Sequence, residues 1–352
     1  MAHQDMAARL PALLGLAVLA ALLSGVVVRR MIRVGVLDVP GSRSSHDRPT
    51  PKGGGAGVVA AVMAGVPAAL LLLPGQSGER PATLLLLLAV LLLAVVSWAD
   101  DLRQFGFQIK LAAQAAAGSL AIGAVAVLLP THLPCVMVLP LVLASLCWLL
   151  LATNAFNFID GLNGLASGSG LIASVAVGWL AWRLQNPLLS AAAIMTAAGL
   201  AGFLPFNYPR ARIFLGDVGS QACGLLLGAF ALLLAASGGR DGTSLGLGLL
   251  VPLALAGILW DVVFTLARRA INGERITEAH RGHLYQVASR SGLSAPVVTL
   301  IHWGFATWGS VIAVVMAPSS PTMAICVVLT PQLVWTWIVR HRARRAGLAG
   351  WS

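Results

Sequence analysis

Eleven apolar stretches of about 20 residues run through the sequence and limit its fold more than any other feature. An α-helix needs about 20 apolar residues to cross roughly 30 Å of hydrocarbon. A helix also satisfies its own backbone hydrogen bonds, as a membrane requires. We therefore predict an all-α fold, a polytopic membrane helix bundle that forms one domain over residues 1–352. The predicted spans are residues 10–30, 54–73, 82–99, 108–130, 134–153, 163–182, 188–205, 219–237, 244–267, 297–317 and 321–340.

The composition supports a membrane protein. Charged residues make up 10% and hydrophobic residues 58% of the chain, whereas about 25% of residues are charged in an ordinary soluble domain. This excludes a disordered chain and argues against a soluble globular protein. The four cysteines all lie in apolar runs, which excludes a disulfide scaffold. Because Arg29, Arg30 and Arg33 follow the first stretch instead of a cleavage site, we expect an uncleaved anchor.

Lysine and arginine are concentrated in one of the two sets of loops that eleven spans create. That set carries 19 of the 23 cations and the other set carries 4. By the positive-inside rule, we expect a bacterial inner-membrane protein with a periplasmic N-terminus, a cytoplasmic C-terminus and its chemistry at the cytoplasmic face. The net charge of +11 is then explained by cation-rich cytoplasmic loops that lie beside anionic lipid head groups, so no nucleic-acid partner is expected. The cation-rich segments are residues 29–53, 100–110, 154–162, 206–218, 268–296 and 340–352.

Two adjacent carboxylates, Asp100 and Asp101, end the third predicted span. Carboxylates at a helix C-terminus face the negative end of the helix dipole, and neighbouring carboxylates repel each other. A divalent cation or a cationic partner relieves both costs. We favour a metal or phosphate site over the alternative, a solvated helix end paired with Arg103.

Polar residues recur every three positions where the fifth span ends, at Asn154, Asn157 and Asp160, and Asn163 follows them. On a helix the first three would share one face. Their amide and carboxylate groups suit hydrogen bonds to a ribose, a base edge or an acetamido group. A turn with a helix cap is the alternative, but it does not explain four such groups together.

Asp217 lies in the glycine-rich segment 214–220, directly before the eighth span. Asp217 or Ser220 could simply cap that helix. The other interpretation is an oxygen ligand for Mg²⁺ beside a diphosphate, with the positive end of the helix aiding phosphate binding.

The long inner loop 268–296 carries His280, Arg281 and His283, which could contact phosphate. Zinc binding is less plausible because no cysteine lies nearby, and interfacial amphipathic packing is the alternative. Asp261 lies within the preceding span, where an acid must face protein or water. It either pairs with polar groups of the site or braces the bundle.

The inner loop 38–57 mixes Arg43, His46 and Lys52 with turn-forming residues. These cations could bind anionic groups, although the spacing of a P-loop is absent. The alternative is an ordinary positive-inside loop.

Taken in order, the motifs resemble those of the polyprenyl-phosphate N-acetylhexosamine-1-phosphate transferases, glycosyltransferase family 4. The resemblance rests on five motifs in register with the spans and covers most of the chain. The matched positions are Asp38, Pro40, Arg43, His46, Pro49, Pro51, Gly53 and Gly54; Asp100 and Asp101; Asn154 to Gly164; Phe214 to Ser220; and Asp261 with Arg268 and Arg269.

The last motif departs from the common family pattern. Arg281, His283 and Leu284 are kept, but Tyr285 and Gln286 replace two histidines. This form resembles the subgroup that initiates O-antigen or other surface-polysaccharide synthesis, whose members use various sugars. The departure puts the identity of the sugar in doubt and leaves the phosphotransfer intact.

The resemblance implies transfer of an N-acetylhexosamine 1-phosphate from a UDP-sugar to undecaprenyl phosphate, with release of UMP. It implies Mg²⁺ as cofactor, with Mn²⁺ as a substitute, and leaves open whether the chain forms a homodimer. It also leaves open direct attack or a covalent aspartyl intermediate. It assigns catalysis to Asp100, Asp101, Asp217 and His283, the metal to Asp217 and Asp101, and substrate binding to Arg43, His46, Lys52, Asn154, Asn157, Asp160, Asn163, His280 and Arg281.

Three alternatives remain. One is a UDP-N-acetylglucosamine-specific transferase that serves enterobacterial common antigen or wall teichoic acid synthesis. A secondary transporter would require inverted repeats and charged groups near the membrane midplane, whereas the acids here lie at one face. A purely structural scaffold would not need five polar motifs on one side.

Overall fold

The computed structural model describes residues 2–38, 48–73, 78–129, 134–238, 243–275, 280–348 and 351. These residues form an almost entirely helical bundle. The elements are α1 Ala2–Val34, β1 Leu37–Asp38, β2 Thr50–Pro51, α2 Gly55–Leu72, α3 Glu79–Arg103, α4 Phe107–Leu128, α5 Cys135–Ile159, α6 Leu165–Arg183, α7 Pro187–Asn207, α8 Gly216–Ala236, α9 Thr243–Gly248, α10 Leu250–Ala254, α11 Ala256–Ile271, α12 Leu284–Arg290, α13 Ala295–Met316 and α14 Pro321–Arg345.

The predicted all-α bundle is confirmed. Within the described ranges, ten helices are long and apolar enough to cross a membrane, and a bent pair raises the number to eleven. Each of the ten predicted spans other than the ninth corresponds to one of these helices, with ends that differ by up to eight residues. A short antiparallel ladder pairs Leu37 with Pro51 and Asp38 with Thr50, and it is the one sheet in the described chain.

The ninth predicted span, residues 244–267, is a broken helix. The segments Gly246–Ala254 and Ala256–Ile271 meet at an angle of 71°. The break falls at Leu255, whose φ of −94° and ψ of 11° are not helical. Apolar length alone therefore predicted the span but not its bend, which sets the direction of α11.

Helix α8 lies at the centre of the bundle and carries Asp217 in its first turn. It packs against α2, α3, α4 and α5, and 89% of its most apolar window is buried. The crossing with α2 is a direct backbone contact between Gly55 and Gly219, because a Cβ on Gly55 would lie 2.1 Å from the Cα of Gly219. Small residues allow helices to approach this closely in membranes.

We expect Gly55→Ala to destabilise the bundle by about 2 kcal/mol, since an added methyl group must push α2 and α8 apart. The midpoint of thermal unfolding of the detergent-purified protein measures the effect. Gly304→Ala is the matched control, because no heavy atom lies within 4 Å of a Cβ at that helical position. Equal midpoints for the two variants would show that the α2–α8 contact is not tight.

Candidate active site

A cavity of about 390 Å³ opens where α3 and α5 end and α8 begins. Five of the six segments predicted to share one membrane face supply its wall, so the structure brings them together. The lining residues are Asp38, Lys52, Asp101, Asn157, Asp160, Gly161, Leu162, Asn163, Asn207, Phe214, Gly216, Asp217 and Gln286.

The two lysines of the sequence both lie at this site and pair with its acids. Lys52 Nζ lies 2.9 Å from Asp101 Oδ1. Lys110 forms an ion pair with Asp100, and its Nζ lies 3.6 Å from Asp217 Oδ2. Lys52 from the β2–α2 connection and Lys110 from α4 thus stabilise the two adjacent carboxylates, which would otherwise repel each other at the end of α3. Arg103, their partner in the alternative interpretation, is exposed.

One carboxylate oxygen at the site has no hydrogen-bond partner. Asp101 Oδ2 is buried, and it lies 3.5 Å from the position that a Cβ would have on Gly216, directly before Asp217. A buried, unsatisfied anionic oxygen is costly unless a cation completes its environment. The donor set therefore fits a magnesium ion held by Asp101 and Asp217.

A magnesium site here would be completed by substrate. In the described part of the chain, no three His, Cys, Asp or Glu side chains converge on a common metal position. Mg²⁺ commonly takes one or two protein carboxylates and fills its other positions with water and phosphate oxygens. Two carboxylates beside an open cavity match that pattern.

Asp217 is fixed by amides rather than used as a helix cap. Asn157 Nδ2 donates to Asp217 Oδ1 at 3.0 Å and to Ser220 Oγ at 2.8 Å, which ties the end of α5 to the start of α8. Gln221 Nε2 donates to Asp217 Oδ2 at 3.2 Å. Neither Asp217 nor Ser220 accepts a capping hydrogen bond from the first turn of α8, so the capping interpretation is wrong for the described structure.

Asn154 lies about one turn before Asn157 in α5, and its side chain bonds to a neighbouring helix. Its Nδ2 donates to Gln114 Oε1 at 2.7 Å, and Gln114 Nε2 donates to Gln221 Oε1 at 3.1 Å. A buried chain of amides therefore runs from α5 through α4 to Asp217 on α8. Asn154 does not line the cavity, so its proposed contact with substrate stays a prediction that the geometry does not favour.

Asp160 and Asn163 reach the cavity from the turn after α5, which ends at Ile159, so Asp160 does not continue the helical face of Asn154 and Asn157. Burial, and then the negative charge of Asp217, raise the pKa of the Asp160 carboxyl well above its ordinary value.

Asn207 holds the wall of the cavity beside that turn. Its Oδ1 accepts from the N–H of Gly164 at 2.6 Å, and its Nδ2 donates to the carbonyl of Ile213 at 3.0 Å. These bonds join the turn after α5 to the segment that leads into α8. Asn207 was not predicted as a site residue, because it is the last residue of a long apolar helix and belongs to no polar motif.

Asp261 organises the last motif. Its carboxylate is buried and accepts from the N–H groups of Leu284 and Tyr285, each at 2.9 Å. The ring Nδ1 of His283 lies 3.0 Å from Asp261 Oδ1. An acid from α11 thus satisfies the first turn of α12, so Asp261 binds polar groups of the 280–286 segment and does not line the cavity.

Tyr285 joins this motif to the cavity wall. Its Oη donates to the carbonyl of Phe158 at 3.1 Å, and a Cβ on Gly161 would lie 2.1 Å from the same oxygen. Burial, and then the charge of Asp261, raise the pKa of Tyr285, so the hydroxyl remains a donor. The tyrosine therefore acts as a structural contact, and the next residue, Gln286, lines the cavity.

His280 stacks on His283 with ring centroids 4.9 Å apart. Burial, and then the nearby His283, lower the pKa of His280 to about 4. Since its Nδ1 accepts from the N–H of Gly282 at 3.1 Å, the neutral ring carries its proton on Nε2. At neutral pH His280 would contact a phosphate only as a neutral donor.

The predicted residues fall into three groups in the structure. Lys52, Asp101, Asn157, Asp160, Asn163 and Asp217 line the cavity, and Asp100 adjoins it through Lys110. Asn154, His280, Arg281 and His283 do not line it. Arg43 and His46 lie outside the described residues.

Lys110 and Gln221, which contact the acids of the site, were not predicted as site residues. Gln286, which lines the cavity, was noted as a departure from the family motif but was not assigned to the site. A usable signal existed for Lys110, because the sequence holds two lysines and one of them was already in a motif.

The amino-acid sequence is similar to those of known proteins. The model of glycosyl transferase family 4 matches residues 83–235. A probable undecaprenyl-phosphate N-acetylglucosaminyl 1-phosphate transferase of Bacillus subtilis (strain 168) is 26% identical over 316 residues, covering 87% of this chain and 84% of that protein. A decaprenyl-phosphate N-acetylglucosaminephosphotransferase of Mycolicibacterium smegmatis is 30% identical over 341 residues, covering 87% and 82%. A phospho-N-acetylmuramoyl-pentapeptide-transferase of Lactobacillus gasseri is 28% identical over 283 residues, covering 72% and 85%.

Proposed function

Since the chain belongs to glycosyl transferase family 4, the polyprenyl-phosphate N-acetylhexosamine-1-phosphate transferases, we propose that it transfers an N-acetylhexosamine 1-phosphate from a UDP-sugar to undecaprenyl phosphate. The observation that carries the proposal is a cluster of three acids and both lysines at one end of a membrane bundle, in which Lys52, Asp101 and Asp217 line the cavity and Asp100 and Lys110 adjoin it. A phosphate-bearing lipid and a nucleotide diphosphate are the substrates that such a site can hold together.

In the proposed reaction an oxygen of the lipid phosphate attacks the sugar-bearing phosphorus of the donor. A new phosphoanhydride bond forms, the bond to the UMP oxygen breaks, and UMP leaves. One phosphoanhydride replaces another, so no ATP is required. The second pKa of a phosphate monoester is about 6, so the acceptor is largely ionised at neutral pH and needs little help from a base.

The residues of the cavity divide the work in this proposal. Lys52 and Lys110 offset the charge that accumulates as two anionic substrates approach. Asp101 and Asp217 would hold Mg²⁺, which when bound neutralises charge on the donor diphosphate. Asp100 keeps Lys110 in place and can accept the remaining proton of the lipid phosphate.

The donor would contact the turn after α5. Asn163 and Asp160 line the cavity, and both carry groups that bind the uracil edge, the ribose or the acetamido group. Gln286 faces the same cavity from α12 and would contact the sugar. Direct attack by the lipid phosphate predicts no release of UMP in a single turnover without acceptor. Such release would instead indicate a covalent aspartyl intermediate.

We further propose that the enzyme initiates O-antigen or a related surface polysaccharide at the cytoplasmic face of a bacterial inner membrane. Support comes from the Tyr285–Gln286 pair, which resembles that subgroup, and from the cation-rich inner loops. A UDP-N-acetylglucosamine-specific transferase is the second candidate, because the Bacillus and Mycolicibacterium relatives carry that sugar in their names.

A donor panel tests the function and separates the two candidates. Purified protein in detergent is mixed with undecaprenyl phosphate and each of several UDP-N-acetylhexosamines, and UMP release is followed with Mg²⁺, with Mn²⁺ or with EDTA. We expect release that requires both the lipid and the metal. Preference for a sugar other than N-acetylglucosamine supports the surface-polysaccharide role, and strict N-acetylglucosamine use supports the second candidate. Absence of release with every donor would contradict both.

A further inference from the structure

A second cavity, of about 370 Å³, lies between the last turns of α11 and α14 and shares no residue with the first. Trp351 lines it, and the centroid of this buried indole lies 6.4 Å from that of the Phe264 ring. The lining residues are Phe264, Ala267, Arg268, Ile271, Asn272, Arg340 and Trp351.

The polar part of this cavity is cationic. Arg268 and Arg340 both line it, and the guanidinium carbon of Arg268 lies 4.4 Å from the ring centroid of Trp351. Arg268 lies near the like charges of Arg269 and Arg340 and near the carboxylate of Glu274. That acid is engaged by Arg269, with Nη1 and Oε2 3.2 Å apart. An anion in the cavity would relieve the repulsion among the arginines.

The apolar part of the cavity continues along α11. Val263, Ala267 and Ile271 are spaced four residues apart and form one exposed stripe, with Val263 51% and Ile271 84% exposed. The stripe runs from the cavity toward the middle of a membrane helix. A ligand that fits both parts carries an anionic group at one end and hydrocarbon at the other.

The cavity lies at the same end of the bundle as the candidate active site. Arg268 Nη2 is 3.0 Å from the position of a Cβ on Gly282, within the 280–286 segment, and Arg342 Nη2 donates to the carbonyl of Ser291 at 3.1 Å. A tryptophan and arginines where membrane helices end are typical of the interface at which lipid head groups lie.

We propose that this cavity binds the head group of an anionic membrane phospholipid such as phosphatidylglycerol, with its acyl chains along the α11 stripe. The arginines contact the phosphate, and Trp351 holds Arg268 in position beside it. Because α11 also carries Asp261, bound lipid would fix the helix that orients the first turn of α12. The proposal concerns a lipid of the surrounding bilayer and does not depend on which substrates the enzyme transfers.

Native mass spectrometry of the full chain, delipidated in detergent and titrated with phosphatidylglycerol or phosphatidylcholine of the same acyl chains, tests the site. We expect preferential binding of phosphatidylglycerol. Each arginine near a lipid surface contributes about 1 kcal/mol, so Arg340→Gln should weaken binding about fivefold and the double variant with Arg268→Gln about 25-fold. Arg340 is exposed, so its replacement leaves folding unaffected.

Arg344→Gln is the matched control, because it removes the same charge one turn further along α14 from a side chain that does not line the cavity. Equal effects of Arg340→Gln and Arg344→Gln, or equal binding of the two lipids, would overturn the proposal. Two competitors identify the source of the phosphate. Displacement of phosphatidylglycerol by equimolar undecaprenyl phosphate would assign the cavity to the acceptor, and displacement by tenfold inorganic phosphate would assign it to a soluble anion; either result overturns the proposal.

Discussion

Replacing Asp217 by asparagine should lower the rate of sugar-phosphate transfer at least about a hundredfold while leaving the bundle folded. The asparagine keeps an oxygen for the Asn157 amide, so the contact between α5 and α8 survives. The lost charge removes the partner of Lys110 at 3.6 Å and one of the two proposed magnesium ligands. The loss therefore falls on charge stabilisation in the reaction and not on the fold.

Steady-state UMP release over a range of Mg²⁺ concentrations measures this effect. We expect a lower maximal rate and a higher Mg²⁺ concentration at half-maximal rate. Glu274→Gln is the control, because it removes one negative charge from a partly exposed side chain outside the cavity. A rate for Asp217→Asn within threefold of the unchanged protein would remove Asp217 from the site.

Hydropathy predicted helices such as α2, α3 and α8 well, because a helix that crosses the membrane needs a minimum length of apolar residues. It could not predict the break before α11, because the non-helical backbone of Leu255 does not change the apolar length of the segment. The short helix α12 was also not predicted, because its formation too depends on more than apolar length. It lies in an inner loop, and its first turn is satisfied by an acid 23 residues earlier in the chain.

The site was predictable where chemistry lies in motifs. Asp101, Asn157 and Asp217 come from three separate motifs, and all three line the cavity. Their partners were harder to find, since Lys110 and Gln221 lie in otherwise apolar helices and acquire meaning only through contacts across the bundle. Contacts between residues that are far apart in the chain produce no periodic pattern in the sequence.

Replacing Asp261 by asparagine should release the first turn of α12 locally. Asparagine has nearly the same size, but its amide places a donor where the N–H groups of Leu284 and Tyr285 now share a carboxylate. Hydrogen bonds to a charged acceptor are worth about 1.5–3 kcal/mol each, so we expect a loss of about 3 kcal/mol. That loss is more than a hundredfold in the local opening equilibrium.

Hydrogen–deuterium exchange of the purified protein separates this local effect from general damage. Amides of residues 284–287 should exchange much faster in Asp261→Asn, while those of α8 stay protected, and transfer should slow because Gln286 and Tyr285 no longer hold their places at the cavity wall. Thr265→Val is the matched control. Thr265 Oγ1 lies 3.2 Å from the same carboxylate and 3.5 Å from the carbonyl of Gly282, but it leaves the bonds from Asp261 to Leu284 and Tyr285 in place, so its loss should leave the exchange of residues 284–287 nearly unchanged. Faster exchange throughout the bundle in Asp261→Asn would instead make Asp261 a general brace, since a carboxylate that merely stabilises helix packing cannot confine its effect to one turn.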